Sequence, residues 1–149
     1  MLIWPLMLRV VIDTNTWISA LIWTGHPKQL VTQSLQGHFR AVTSAELMAE
    51  FRRVLGYPRI QKAMLKRNLD PQDLATQFGL FNDLVDAPAL ATPVCRDPDD
   101  DAVLACAVAA KAQLIVSGDD DLAVLQSFEG IPILRAAPAL QWLESYVAG

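Results

Sequence analysis

The stretch RVVIDTN, residues 9–15, decides how this chain folds. A run of β-branched and aliphatic residues ends abruptly at Asp13, and we predict a buried strand from Leu8 to Ile12. Continuous apolar runs of this length are typical of strands in parallel sheets, which are covered on both faces. Asp13 has no obvious capping duty after this strand, so it is the first candidate for a functional residue.

Helices and strands alternate after this first strand. The predicted helices are Thr16–Trp23, Lys28–Leu35, a helix capped by Thr43 or Ser44 with Leu47, Phe51, Val54 and Leu55 on one stripe, one or two helices within 59–86, a helix over 99–111, a short helix after SGDDD (117–121) and a last helix from Pro138. The other predicted strands are Phe39–Val42, Ala89–Val94, Leu114–Val116 and Ile131–Leu134. This order predicts a three-layer α/β/α sandwich with a mostly parallel central sheet. We expect one domain over residues 1–149, with residues 1–7 as a short N-terminal extension.

The composition is that of a compact domain, with 149 residues of which 52% are hydrophobic. The longest apolar runs, at 1–8 and 102–110, are shorter than the roughly 18 residues that cross a bilayer, so we expect no membrane span. The chain begins without the basic region and cleavage site of a signal peptide. Two cysteines are too few for a disulfide framework. These features predict a cytoplasmic protein in a reducing compartment.

Charge is distributed unevenly along the chain. The net charge of −4 by itself argues against a nucleic-acid partner. Residues 51–69, however, hold six of the twelve basic residues and no acid, namely Arg52, Arg53, Arg59, Lys62, Lys66 and Arg67. Seven of the sixteen acids lie between Asp97 and Asp121. We therefore expect a basic stretch that binds an anion and acid clusters that bind a cation.

Carboxylates on four segments can meet at one edge of such a sheet. They are Asp13, the helix pair Glu46 and Glu50, Asp97–Asp101 and Asp119–Asp121. Two like charges about 4 Å apart repel by about 4 kcal/mol at an effective dielectric of 20, so clustered carboxylates need a cation. Oxygen ligands without His or Cys favour Mg²⁺ or Mn²⁺. The two histidines lack the spacing of zinc ligands.

Each of these acids other than Asp13 also has a purely structural interpretation. The acids of 97–101 and 119–121 would cap helices or occupy their first turns, where negative charge suits the helix dipole. Glu46 and Glu50 would be a solvated helix face. The basic stretch would likewise be a solvated helical surface.

Four segments of the chain contain candidate acids: VVIDTN (10–15), AEFRRVL (49–55), DPDDDAVLACAVAA (97–110) and LIVSGDDDL (114–122). Together these segments resemble the PIN domain, in particular its VapC-like toxin branch. They come in the order and spacing of that family. The resemblance implies a metal-dependent endoribonuclease that cleaves single-stranded or structured RNA with one or two Mg²⁺ or Mn²⁺ ions, leaving a 5′-phosphate and a 3′-hydroxyl. It further implies the toxin of a toxin–antitoxin pair, with a protein antitoxin as partner and a homodimeric assembly.

Carried over by motif, the resemblance implies four catalytic metal ligands and four supporting residues. The ligands are Asp13, Glu50, Asp100 and Asp119, and the supporting residues are Asn15, Ser117, Asp121 and Asp101. A shift of one residue within DPDDD would exchange Asp100 for Asp101. Glu46, one turn earlier on the same predicted helix, is likewise an alternative to Glu50. The basic stretch would then hold the RNA backbone.

Other functions fit the sequence less well or stay open. A phosphotransferase of the haloacid dehalogenase type needs a second Asp two residues after the first, where this chain has Asn15. A phosphoacceptor switch domain needs a Lys after its last strand, where Arg135 and alanines follow. A housekeeping RNA-processing nuclease of the same fold and a non-catalytic interaction module with a degenerate site are the open alternatives.

Overall fold

The structure is a computed structural model that describes residues 7–148, with the side chains of residues 7–146. The expected N-terminal extension of residues 1–7 lies outside the described residues except for Met7. None of the helices in the described part combines the length and the hydropathy that a bilayer crossing requires.

Strands and helices alternate as predicted over most of residues 7–148. The strands are β1 (Arg9–Ile12), β2 (Arg40–Thr43), β3 (Asn82–Leu84), β4 (Leu114–Val116), β5 (Ser127–Phe128) and β6 (Ile131–Leu134). The helices are α1 (Thr14–Ile22), α2 (His26–Leu35), α3 (Ala45–Leu55), α4 (Pro58–Lys66), α5 (Pro71–Phe81), α6 (Pro98–Ala110), α7 (Asp120–Ala123) and α8 (Ala136–Ala148). Local signals explain several of the helix starts, since Ser44 caps α3 and Asp70 caps α5 before Pro71.

The six strands form one sheet in the order β3-β2-β1-β4-β6-β5. Every pairing is parallel except that of β5 with β6. The predicted α/β fold with a mostly parallel central sheet is therefore confirmed. The strand order reverses beside β1, where β2 lies on one side and β4 on the other. In open α/β sheets, ligands bind beyond the carboxyl ends of the strands at such a point.

The core lies on both faces of the sheet, because successive side chains of a strand point to opposite faces. Val10 and Ile12 of β1 pack into one cluster with α1, α2, α4, α5 and α8. Val11 packs into the other with α6 and α7. All three side chains are at most 3% exposed, and each contributes about 1.5–3 kcal/mol by burial. This burial fixes the position of β1 and therefore of the residue that follows it.

The predicted strand at Ala89–Val94 is wrong. No strand forms there, because Pro93 and the flanking Pro88 lack backbone donors and Leu90 packs against the α6 cluster from a loop. The third strand is instead β3, where Ala41 pairs with Asn82. The sequence did not indicate β3 because an edge strand of three residues is held by backbone hydrogen bonds and needs no apolar pattern.

Candidate metal centre

The candidate site lies where the carboxyl ends of β1 and β4 meet. Asp13 follows β1 and donates its backbone N–H to Val116 of β4 at 3.0 Å. Asp119 follows β4 and is the N-cap of α7. Asp100 lies in the first turn of α6, and α3 carries Glu50 to the same edge. The fold thus brings residues from four separate segments to one end of the sheet.

Asp13 is buried, and both of its carboxylate oxygens have partners. Oδ1 accepts the backbone N–H of Thr16 at 2.9 Å and caps α1, so the expectation that Asp13 has no capping duty is wrong. Oδ2 accepts the hydroxyl of the fully buried Ser117. Burial raises the pKa of Asp13, and the hydrogen bonds from Ser117 and Thr16 oppose that rise. These two bonds fix the orientation of the carboxylate.

Asp100 is the carboxylate least satisfied by the protein. It is 8% exposed, and its Oδ2 has no hydrogen-bond partner among the described residues. Burial, followed by repulsion from Asp119, raises the pKa of Asp100 to about 7. Asp100, Asp119 and Asp121 each place one carboxylate oxygen within 4.8 Å of the other two. This trio is hereafter called the acid cluster.

Asp101 points away from the acid cluster. Its carboxylate accepts the backbone N–H of Cys95 at 2.8 Å and that of Val94 at 3.2 Å, and it fixes the loop before α6. One residue along a helix rotates a side chain by about 100°, so Asp100 and Asp101 cannot face the same side. Within DPDDD, the structure brings Asp100 to the site.

Glu50 lies close to Asp13, and Glu46 does not. Glu50 Oε1 accepts the hydroxyl of Thr14 at 2.5 Å, directly after Asp13 in the chain. Burial, and more weakly repulsion from Asp99 and Asp13, raise the pKa of Glu50. Glu46, one turn earlier on α3, is exposed and lines a separate cavity.

The remaining supporting candidates differ in their surroundings. Ser117 accepts the backbone N–H of Asp119 at 3.0 Å, in addition to its bond to Asp13. Asn15 is exposed and lines a shallow cavity of about 240 Å³ with Gly118 and Asp119. Ser117 therefore positions two carboxylates, whereas Asn15 lies at the outer rim.

The predicted basic stretch is only partly close to the site. Arg53 of α3 forms an ion pair with Asp99 at 2.6 Å, at the start of α6. Arg67 instead stacks over the ring of Trp23, 5.4 Å from its centroid. Arg52, Arg59, Lys62 and Lys66 are exposed on α3 and α4 without an ion pair among the described residues. The structure places Arg53 alone of the six against the acids of the site.

Two further arginines flank the acids, and sequence reasoning missed both. Arg96 lies 2.9 Å from Asp121, and Arg135 lies 2.5 Å from Asp120 and donates to the carbonyl of Gly118 at 2.7 Å. A signal existed, since Arg96 directly precedes DPDDD and Arg135 follows the last strand. Exposed ion pairs of this kind contribute at most about 1 kcal/mol each. Their main effect is to place positive charge around the site.

The donor set fits a hard divalent cation. The acid cluster offers oxygen ligands alone, as Mg²⁺ and Mn²⁺ prefer. Buried polar atoms are normally hydrogen-bonded, so the unpartnered Oδ2 of Asp100 needs a partner that the protein does not provide. Burial, and after it repulsion from Asp119, raises the pKa of Asp100, so its ionised form needs a nearby positive charge. A divalent ion would satisfy both requirements.

Comparison with known proteins gives a consistent result. The sequence profile of the PIN domain matches residues 9–121, a segment that begins with β1 and includes the acid cluster, Asp13 and Glu50. The chain is also 32% identical over 120 residues to an uncharacterized protein of Methanocaldococcus jannaschii. That alignment covers 80% of this chain and 76% of the relative.

Proposed function

The chain belongs to the PIN domain family, and on that premise we propose that it is a Mg²⁺- or Mn²⁺-dependent endoribonuclease. PIN domains are generally nucleases that bind divalent metals and act on RNA. The observation that carries the proposal is the buried carboxylate of Asp100: its Oδ2 has no hydrogen-bond partner among the described residues, and one of its oxygens lies within 4.8 Å of a carboxylate oxygen of Asp119 and of Asp121.

Asp13, Asp100 and Asp119 are the proposed metal ligands, with Asp121 beside them. A bound divalent ion would stabilise the charge that develops on the scissile phosphate and would acidify water. Asp13 is pre-oriented by its bonds to Thr16 and Ser117, so little freedom is lost when the ion binds. A protein side chain must then accept the proton of the attacking water.

Glu50 is the proposed group that orients the attacking water and accepts its proton. Its bond from Thr14 holds one oxygen, and the other oxygen is not engaged by a described residue. The raised pKa of Glu50 makes it a better proton acceptor than an exposed glutamate. No Ser, Cys or His nucleophile is required.

RNA would approach over the arginines that flank the acids. Arg53, Arg96 and Arg135 come from three separate segments of the chain, and each contacts an acid next to the proposed ligands. Guanidinium groups bind phosphate in a bidentate manner, and such binding weakens with salt. This arrangement reconciles the net charge of −4 with a polyanionic substrate.

Cleavage of labelled single-stranded RNA by the purified chain tests the proposal. We expect cutting with Mg²⁺ or Mn²⁺, none with chelator, and a loss of at least a hundredfold in Asp13→Asn. Asp73→Asn, which changes an exposed acid on α5, is the matched control and should cut normally. Cutting that persists in chelator would refute the metal mechanism.

A toxin role is the finer part of the proposal and is supported by the resemblance to the VapC-like branch. It predicts a cytoplasmic homodimer that arrests growth on expression and is neutralised by a small antitoxin protein encoded next to it. A housekeeping nuclease would cut RNA in the same assay without arresting growth. A non-catalytic module would neither bind a divalent ion nor cut.

A further inference from the structure

We infer that the apolar cavity beside the N-terminus of α6 binds a guanine base of the RNA strand that crosses the acid cluster. This inference rests on the proposed nuclease function. The cavity lies on the side of α6 that faces away from Asp100, since Ala102 and Ala105, two and five residues later, line it.

The cavity has the size and the walls of a base-binding site. Its volume is about 580 Å³, within the range of roughly 300–1,000 Å³ for small-molecule clefts. The walls come from α6, the loop before it and Glu46 of α3, and the apolar part is formed by Leu90, Pro93, Pro98, Ala102 and Ala105. Flat apolar contact suits the faces of a base, which are the least hydrated part of a nucleotide.

One of the two carboxylates that line the cavity is available to a ligand. Two acids line it, but Asp101 already accepts the backbone N–H groups of Val94 and Cys95. The carboxylate of Glu46 accepts no hydrogen bond from a described residue. A carboxylate accepts two parallel hydrogen bonds, and guanine is the one RNA base whose Watson–Crick edge presents two adjacent N–H donors.

Arg96 connects the cavity to the acid cluster. The same residue lines the cavity and places its guanidinium 2.9 Å from Asp121. Its side chain is 87% exposed, so it can contact phosphate from solvent. A strand whose phosphate lies against Arg96 can therefore place one base in the cavity while its backbone continues over the acid cluster.

Binding of labelled pentaribonucleotides to the full chain, measured by fluorescence anisotropy with chelator present, tests the inference without requiring cleavage. The probes are five-residue uridine strands whose central position is guanine, adenine, uracil or abasic. We expect the guanine strand to bind about tenfold more tightly than the abasic strand, the scale of hydrogen bonds to a charged group. Equal affinities for the four strands would overturn the inference.

Two variants and one control assign the effect to the cavity. Glu46→Gln should reduce the preference for guanine over adenine to less than about threefold, because one acceptor is replaced by a donor. Ala102→Phe should fill the cavity and make the four affinities equal. Ala109→Phe, on the exposed end of the same helix, should keep the guanine preference. Circular dichroism of each variant checks folding, and Glu46→Gln decides the question if Ala102→Phe unfolds.

Cleavage of longer RNA with Mn²⁺, run in parallel, separates the two proposals. Guanine preference in binding without any cleavage would refute the nuclease function and leave the base site standing. Cleavage without guanine preference would refute the base site alone. Preference that survives both Glu46→Gln and Ala102→Phe would also overturn the assignment to this cavity.

Discussion

Ser117 donates its hydroxyl hydrogen to Oδ2 of Asp13, across 104 positions of sequence. The same hydroxyl oxygen accepts the backbone N–H of Asp119. A single buried side chain thus joins the ends of β1 and β4 and fixes two proposed ligands relative to each other. Groups that orient metal ligands in this way are often as important for affinity as the ligands themselves.

Ser117→Ala should weaken divalent-metal binding by about 10- to 100-fold, the usual effect of losing a group that orients ligands. It should also lower the free energy of unfolding by about 1–3 kcal/mol, because Asp13 loses a buried donor. Isothermal titration calorimetry with Mn²⁺ and thermal melting measure the two effects. Ser127→Ala, in the exposed part of β5, should change neither. Unchanged metal affinity in Ser117→Ala would exclude the positioning role.

Asp100→Asn should raise the melting temperature of the metal-free protein, because it removes a buried negative charge that is also repelled by Asp119. A gain of about 1–2 kcal/mol corresponds to several degrees for a chain of this size. Added Mg²⁺ should stabilise the wild type and leave Asp100→Asn nearly unchanged. A variant that melts lower than the wild type without metal would contradict the proposed charge crowding.

The stability of the metal-free protein should fall as the pH rises from about 4 to about 7. Asp100 titrates at about 7 in the folded state against 3.8 for an unperturbed carboxyl, so the folded state holds more protons over that interval. The groups that face Asp100 are all acids, and each of them raises its pKa: Asp119, Asp97, Asp13 and Asp121. Urea unfolding across this pH range, with chelator present, measures how the free energy of unfolding changes with pH. Saturating Mg²⁺ should reduce that change. A stability that rises from pH 4 to 7 would contradict the charge assignment.

Glu50→Gln should reduce the cleavage rate by about 10²–10⁴-fold, the usual contribution of a general base. Its effect on Mn²⁺ affinity should be smaller than that of Asp13→Asn. Single-turnover cleavage at saturating Mn²⁺ separates the two effects. Glu144→Gln, on the exposed surface of α8, is the charge-matched control. A cleavage rate within threefold of the wild type would remove Glu50 from the proposed mechanism.

The sequence alone indicated the fold and the segments that form the site. A buried strand that ends at Asp13, and helix starts marked by Ser44 and by Asp97 before Pro98, are local signals that tertiary contacts did not override. The alternation of elements then required a parallel sheet, and a parallel sheet brings Asp13 and Asp119 to one edge. These conclusions needed only hydrophobic periodicity and capping chemistry.

Only the tertiary structure decided which side chains face each other. The choice of Asp100 over Asp101 and of Glu50 over Glu46 depends on the rotation of α6 and α3, which is set by packing against the sheet. The contact of Arg96 with Asp121 also arises from packing, because it joins residues 25 positions apart. Local patterns specify the period and the ends of a helix but not its rotation about its axis. That rotation follows from the long-range contacts of the core, and here it determines which acids meet.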